Sequence, residues 1–211
     1  MQSAAQISQV GQDIDQGEPD VARISVKISE LVTRLQRYTS SLESCRVPVI
    51  SAIQGYCIGA GIDMTSACDI RLCSKDAKFT IKEVDIGICA DLGTIQRFQK
   101  VVGNDSWVRE LAYTARYFDA DEAQRYGYVS TVYDDKSKLM DGALKLAQDI
   151  AKKSPLAINI TKQSLIYSRD HTVAEGLAHI ALLNGVMLQT DDTKLAVAAN
   201  FSKKTPTFAK L

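Results

Sequence analysis

The sequence predicts one α/β unit with a helical C-terminal third. Three observations predict it. An apolar run at residues 47–57 ends in Gly59-Ala60-Gly61 and passes into a short helical pattern, the strand–turn–helix order of an α/β fold. A second apolar run follows at 69–73. From residue 93 onward, apolar residues recur mostly at three- and four-residue steps, the period of amphipathic helices. The 211 residues suit one domain with a sizeable core.

The elements follow in order. Residues 1–19 are rich in Gln, Ser, Gly and Asp and read as a polar N-terminal segment without regular structure. Residues 20–135 form the core and 136–211 the helical region. The core opens on a long amphipathic helix, in which Val21, Ile24, Ile28, Leu31, Val32 and Leu35 keep the helical step. Residues 47–57 read as one buried strand with Pro48 at its start. The glycine-rich turn leads into a short helix carrying Asp63, Met64, Ala67 and Cys68. Residues 74–92 alternate turn signals with short apolar pieces. Helices are predicted at 93–102 and 105–117, the second capped by Asn104. A short helix at 121–126 closes on Gly127, and a brief strand covers 128–133. A long helix follows at 136–153. Ser154 then caps a helix with Pro155 at its first position. Thr172 and Glu175 form a capping box before the next helix, and a last helix covers about 191–201.

Bulk chemistry removes several function classes. Apolar residues are 45% and charged residues 24%, the balance of a globular protein. The 25 basic and 25 acidic side chains cancel, which gives no global pull toward nucleic acid or anionic membrane. No apolar run approaches the roughly 20 residues of a spanning helix, so no membrane insertion is expected. The polar, acidic start lacks the pattern of a secretory signal. Five cysteines, with no Cys-x-x-Cys pair, give neither a metal-site spacing nor a disulfide framework. They read as small buried apolar residues, and no metal site is expected.

Three acids draw attention. Asp63, Glu83 and Asp91 each sit in an apolar or glycine-rich run, where burying an unpaired carboxylate costs several kcal/mol. Acids so placed suit tuned acid/base groups. Each also has a plainer explanation. Asp63 can charge the first turn of its helix, Glu83 can be a loop residue of Lys82-Glu83-Val84-Asp85, and Asp91 can cap the helix near Gly93. Asp69 and Asp85 read as structural. No spacing rule gathers 63, 83 and 91 into one pocket. The Gly59-Ala60-Gly61 turn is too short for a phosphate loop and lacks the dinucleotide fingerprint. Backbone N–H groups at such a turn suit an oxyanion instead.

Residues 47–103 resemble the enoyl-CoA hydratase/isomerase (crotonase) family. The matching words are Pro48-Val49-Ile50-Ser51-Ala52, the block from Gly55 to Asp63, Cys68-Asp69-Ile70-Arg71 and Gly93-Thr94-Ile95-Gln96-Arg97. Ile81-Lys82-Glu83-Val84-Asp85-Ile86-Gly87, Ala90-Asp91-Leu92-Gly93-Thr94 and Ser168-Arg169-Asp170-His171 are similar to the Δ3,5-Δ2,4-dienoyl-CoA isomerase branch. The resemblance runs from about residue 20 to residue 211. It implies a crotonase-like ββα superhelix with a helical trimerisation region, an acyl-CoA substrate, and assembly as a homo-oligomer, a trimer or hexamer. It implies no cofactor, since CoA is part of the substrate. It maps the branch's three pocket acids onto Asp63, Glu83 and Asp91, and its oxyanion turn onto Gly59, Ala60 and Gly61. By carry-over, Glu83 takes a proton from C2, Asp91 delivers one at C6, and Asp63 positions and polarises the pair. Hydratases carry Glu at the position of Asp63 and a small residue at that of Asp91.

Two departures from the family pattern stand out. Its early strands and the Ala-Gly-x-Asp-type segment that supplies a second oxyanion N–H have no counterpart after Met1-Gln2-Ser3-Ala4. The expectation is an N-terminally truncated form, with a catalytically weak subunit that oligomerises or binds acyl-CoA as the alternative to the isomerase, and a hydratase as a third. Ala60 also stands where the family has the middle glycine of three. At the far end, Ala209-Lys210-Leu211 resembles the Ser-Lys-Leu peroxisomal address, which points to a peroxisomal or mitochondrial place in β-oxidation.

Overall fold

In the computed structural model, which describes residues 20–203 and 205–210, the chain enters on helix α1 (Val21–Ser44). The predicted polar segment 1–19 lies outside the described residues, as does Leu211 of the C-terminal tripeptide. Asp20 caps α1 by accepting the Ala22 N–H at 2.9 Å.

The run 47–57, predicted as one strand, is two. Gly55, at φ +62°, breaks it into β1 (Ile50–Ile53) and β2 (Tyr56–Ile58), which join different sheets. Only a residue that tolerates a left-handed backbone allows so tight a change of direction. Helix α2 (Ala60–Ser66) follows, then β3 (Ile70–Ser74) and β4 (Lys78–Thr80). β3 pairs parallel to β1, with Ile50 opposite Ile70, and β4 pairs parallel to β2, with Cys57 opposite Phe79. Each pass of the chain therefore adds one strand to each sheet, which is the ββα superhelix the resemblance implies.

Helices α3 (Thr94–Val102) and α4 (Asp105–Thr114) cross next, and Asn104 caps α4 by accepting the Trp107 N–H. The helix predicted to reach residue 117 stops three residues earlier. Ala115 is left-handed at φ 49°, and its carbonyl accepts the buried Thr80 hydroxyl at 2.7 Å. That turn frees β5 (Phe118–Asp119) to pair antiparallel with β4. α5 (Ala120–Arg125) and β6 (Thr131–Tyr133) complete the core, β6 running parallel to β3. Helices α6 (Lys136–Ala151), α7 (Pro155–Arg169), α8 (Val173–Met187) and α9 (Asp191–Ser202) form the C-terminal third. The Ser154 cap with Pro155 in the first turn and the Thr172–Glu175 capping box stand where the sequence placed them.

The main core lies between the second sheet and helices α3 and α4. Phe79 stacks on Phe118 with centroids 5.1 Å apart, Phe98 meets Tyr128 at 4.5 Å, and Trp107 closes the cluster. The buried Tyr128 hydroxyl bonds Thr65 Oγ1 at 2.6 Å, which fixes α2 against this cluster. A smaller cluster of Leu72, Leu139 and Ala143 seals the first sheet under α6. Cys57 and Cys73 are buried, and burial pushes their thiols up to about 11 and about 12. Cys89 departs from the expectation of burial and is exposed. No described helix is long and apolar enough to cross a membrane.

Candidate active site

The turn between β2 and α2 fixes the geometry. Gly59 adopts φ +52°, and its N–H is taken by the Thr80 carbonyl at 3.1 Å. Of the three predicted oxyanion residues, Gly59 thus spends its donor on the fold. Ala60 and Gly61 hold the first N–H groups of α2, which have no earlier helical carbonyl to serve. Gly61 also keeps a close approach open: a β-carbon there would stand 3.2 Å from Cys57 Sγ, a tight contact.

Asp63 follows in the first turn of α2 and is 1% exposed. Its Oδ1 accepts both the N–H and the hydroxyl of Thr94, each at 2.7 Å. Gly93, the residue before α3, has no side chain to cap that helix, so Asp63 caps it from across the fold. Burial pushes the Asp63 carboxyl up. The two Thr94 bonds and the Arg97 charge ease the rise, and the Asp91 charge adds to it.

Glu83 opens the 3-10 turn Glu83–Ile86, part of the stretch 74–92 that showed only turn signals in the sequence. It packs against the glycine turn: a β-carbon on Gly59 would lie 3.1 Å from Glu83 Oε1. Its Oε2 is buried with no hydrogen-bond partner among the described residues. Burial raises this carboxyl, the backbone N–H groups of Glu83 and Lys82 offset part of the rise, and the charges of Asp63 and Asp91 add to it. Glu83 also lines a cavity of 560 Å³ that is apolar along Ile81, Val84, Ile88, Ala90, Ile95 and Val108. No motif marks that cavity in the sequence, because its walls come from the loop after β4 and from two separate helices.

Asp91 sits differently. It is exposed in the loop before α3, and its backbone carbonyl accepts Gln36 Nε2 at 2.7 Å. It lines a polar cleft with Gln36, Arg97, Lys100 and Asp170 rather than the apolar cavity. Its charge still acts on both Asp63 and Glu83. The structure therefore places Glu83 against the glycine turn and buries Asp63 in the first turn of α2, and it leaves Asp91 exposed in a separate polar cleft. The structural readings also hold elsewhere: Asp85 pairs with Lys82, and Asp69 with Lys162.

Sequence reasoning missed the frame around these acids. Glu43 of α1 receives Arg97 of α3 at 3.2 Å and Arg169 of α7 at 2.5 Å. Burial pushes the Glu43 carboxyl up, but both guanidiniums outweigh it and hold the group below the usual carboxylate range. Arg97 lies over Gly93, where a β-carbon would fall 2.0 Å from Nη1 and the backbone sits at φ +126°. Gly93→Ala is expected to cost about 1–3 kcal/mol, seen as a melting temperature lower by about 2–4 °C per kcal/mol. An unchanged melting temperature would show that this glycine has no conformational role.

The enoyl-CoA hydratase/isomerase family profile matches residues 10–210. The chain is 52% identical over 195 residues to the mitochondrial Delta(3,5)-Delta(2,4)-dienoyl-CoA isomerase of Homo sapiens, covering 91% of this chain and 60% of that protein. It is 47% identical over 192 residues to the peroxisomal Delta(3,5)-Delta(2,4)-dienoyl-CoA isomerase of Arabidopsis thaliana, covering 91% and 69%. The crystal structure of an enoyl-CoA hydratase from Bacillus anthracis superposes with a TM-score of 0.82 at 25% identity, over 93% of this chain and 73% of that one. The chain spans 60% of the length of the mammalian relatives it matches. A profile match over nearly every residue, with half of the positions shared with these relatives, leaves one conclusion: the chain belongs to the enoyl-CoA hydratase/isomerase family.

Proposed function

We propose that the chain is an isomerase that shifts the double bonds of a 3,5-dienoyl-CoA to the 2,4 positions in fatty-acid β-oxidation. The observation that carries this is the buried Oε2 of Glu83, without a hydrogen-bond partner among the described residues, beside the glycine turn and at the wall of an apolar cavity. Glu83 takes a proton from C2. The electron pair left behind spreads along the conjugated chain and onto the thioester oxygen, which the Ala60 N–H receives. Asp91 delivers a proton at C6, and the 2,4-diene is left conjugated with the thioester. One proton leaves and one arrives, so the step needs no metal or redox cofactor. Asp63 positions and polarises the two working acids. Burial raises both the Asp63 and the Glu83 carboxyls, and the charge of Asp63 raises Glu83 further. The exposure of Asp91 gives it access to protons from solvent.

The test is the absorbance of the conjugated dienoyl-CoA product. Turnover by the wild-type chain that Asp91→Asn removes supports the assignment. No turnover overturns the isomerase reading, and turnover that survives Asp91→Asn overturns the role of Asp91. Ala60→Gly is expected to leave activity equal or higher, because the donor is a backbone N–H and the methyl adds only bulk. A clear loss would move the oxyanion site elsewhere.

We also propose a homo-oligomer, a trimer or hexamer, built on the C-terminal helices. On α8, Leu177, Leu182 and Val186 are 63%, 79% and 71% exposed, and Phe201 of α9 is 87% exposed. So much apolar area on adjacent helices suits burial against a second copy of the chain. Leu182→Glu is expected to shift the mass measured by light scattering toward the monomer. A wild-type chain that is already monomeric would end the proposal. The names of the relatives, mitochondrial and peroxisomal, support a place in one of those organelles.

A further inference from the structure

We propose that Thr94 is a positioning residue that holds one oxygen of Asp63 and so sets the aim of the other. The proposal rests on the assignment of Asp63 to the isomerase site. Thr94 is fully buried, and it is the first residue of α3, a helix of nine residues with a bare glycine at its cap. Both of its donors converge on a single atom, Asp63 Oδ1. A carboxylate held twice through one oxygen cannot rotate without breaking both bonds. Oδ2 therefore keeps a fixed direction, set by the start of α3 rather than by α2 on which Asp63 rides. The arrangement also serves the charged form, since two donors and the positive end of a helix favour a carboxylate over a carboxylic acid.

The hydroxyl is the replaceable half of this grip. The backbone N–H belongs to any residue at 94, but only Ser or Thr supplies the second bond. The other charged groups that act on Asp63 are Asp91 in the loop before α3, Arg97 one turn into α3, and Glu83 across the glycine turn. Glu43 holds Arg97 from α1. None of these changes when Thr94 is replaced by a residue of the same shape.

Thr94→Val keeps the shape and removes the hydroxyl, and Thr94→Ser keeps the hydroxyl and removes the methyl. Two readouts separate positioning from simple structure. The first is the titration of the Asp63 carboxyl carbon by NMR, in the full-length chain without substrate. Thr94→Val is expected to move it upward, because a bond to the charged form is lost, while Thr94→Ser stays at the wild-type position. The second is steady-state kinetics on a 3,5-dienoyl-CoA. Thr94→Val is expected to lower kcat by about tenfold or more with KM little changed, and Thr94→Ser to restore it. An Asp63 titration unmoved by Thr94→Val overturns the grip. A moved titration with unchanged kcat overturns the positioning role. Loss in both variants alike, tracking their melting temperatures, would also overturn it by reducing Thr94 to a packing residue. If the wild type shows no turnover, the isomerase reading fails on its own, and the titration still decides whether Thr94 holds Asp63.

Discussion

Glu83→Gln is expected to lower kcat on a 3,5-dienoyl-CoA by about 10²–10⁴-fold, the range lost when a general base is removed. The amide keeps the shape that fits against Gly59 and removes only the ability to take a proton. The same change is expected to raise stability at neutral pH. Folding places Oε2 where it has no hydrogen-bond partner among the described residues, and burial raises the carboxyl above its ordinary value. The sign follows from the proton balance. A carboxyl raised in the fold holds its proton more tightly in the native than in the unfolded chain, so its ionisation opposes folding. That penalty is absent below the unfolded value, grows as pH rises through the window up to the folded value, and is complete above it. Glu83→Gln should therefore melt higher than the wild type at pH 7 and match it at a pH below the ordinary carboxylate range. The activity of the wild type should fall on the acid side at a pH above that range, because the base must first ionise. Melting curves that are equal at pH 7, or a variant that keeps most of its turnover, would remove Glu83 from the role of base. A site that sacrifices stability for a tuned acid is the usual form of the trade-off between the two.

Much of this site was legible in the chain and part of it was not, for reasons that belong to particular residues. Helix ends were readable because their signals are local: Asn104, Ser154 and the pair Thr172 and Glu175 all cap the helices they were expected to cap. The break at Gly55 was not readable. The apolar pattern runs through it unchanged, and only the pairing of β1 with β3 and of β2 with β4 shows that the two halves serve different sheets. The end of α4 was hidden in the same way. Nothing local forbids helix at Ala115, and what stops it is the hydroxyl of Thr80, 35 residues away in sequence. Asp63 stood out as an acid in an apolar run, and it is the most buried of the three acids. Two of the plainer explanations hold as they were given: Asp63 does lie in the first turn of its helix, and Glu83 does lie in the turn after β4. The third was attached to the wrong acid. Helix α3 does have a carboxylate cap, and it is Asp63 rather than Asp91. A long-range cap leaves no trace in local spacing, which is why Thr94 carried no signal of its own beyond its place after Gly93.

Asp69→Asn is expected to destabilise the fold strongly. The Lys162 side chain is only 5% exposed, and its ammonium has three acceptors: Asp69 Oδ2 at 2.7 Å, the Val47 carbonyl at 3.1 Å and the Leu42 carbonyl at 3.3 Å. Asp69 supplies the only negative charge among them, and the same Oδ2 also accepts the Val49 N–H at 2.7 Å. The pair thus ties the end of α1, the entry to β1, the turn after α2 and the middle of α7 at one point. An asparagine of equal size leaves the cation buried with neutral partners only. Removing one member of a buried pair costs about 3–5 kcal/mol, and the melting temperature should fall by about 10 °C or more in a chain of this size. Lys162→Met should cost less. It removes the buried cation, and the Asp69 side chain, 23% exposed, keeps the Val49 N–H and reaches water. The double variant should recover part of the loss seen in Asp69→Asn, because the unpaired cation that causes the damage is gone. A fall of less than about 1 kcal/mol for Asp69→Asn would place the pair with the exposed ion pairs, whose contribution is small. A double variant no more stable than Asp69→Asn alone would show that the carboxylate acts through Val49 rather than through the lysine.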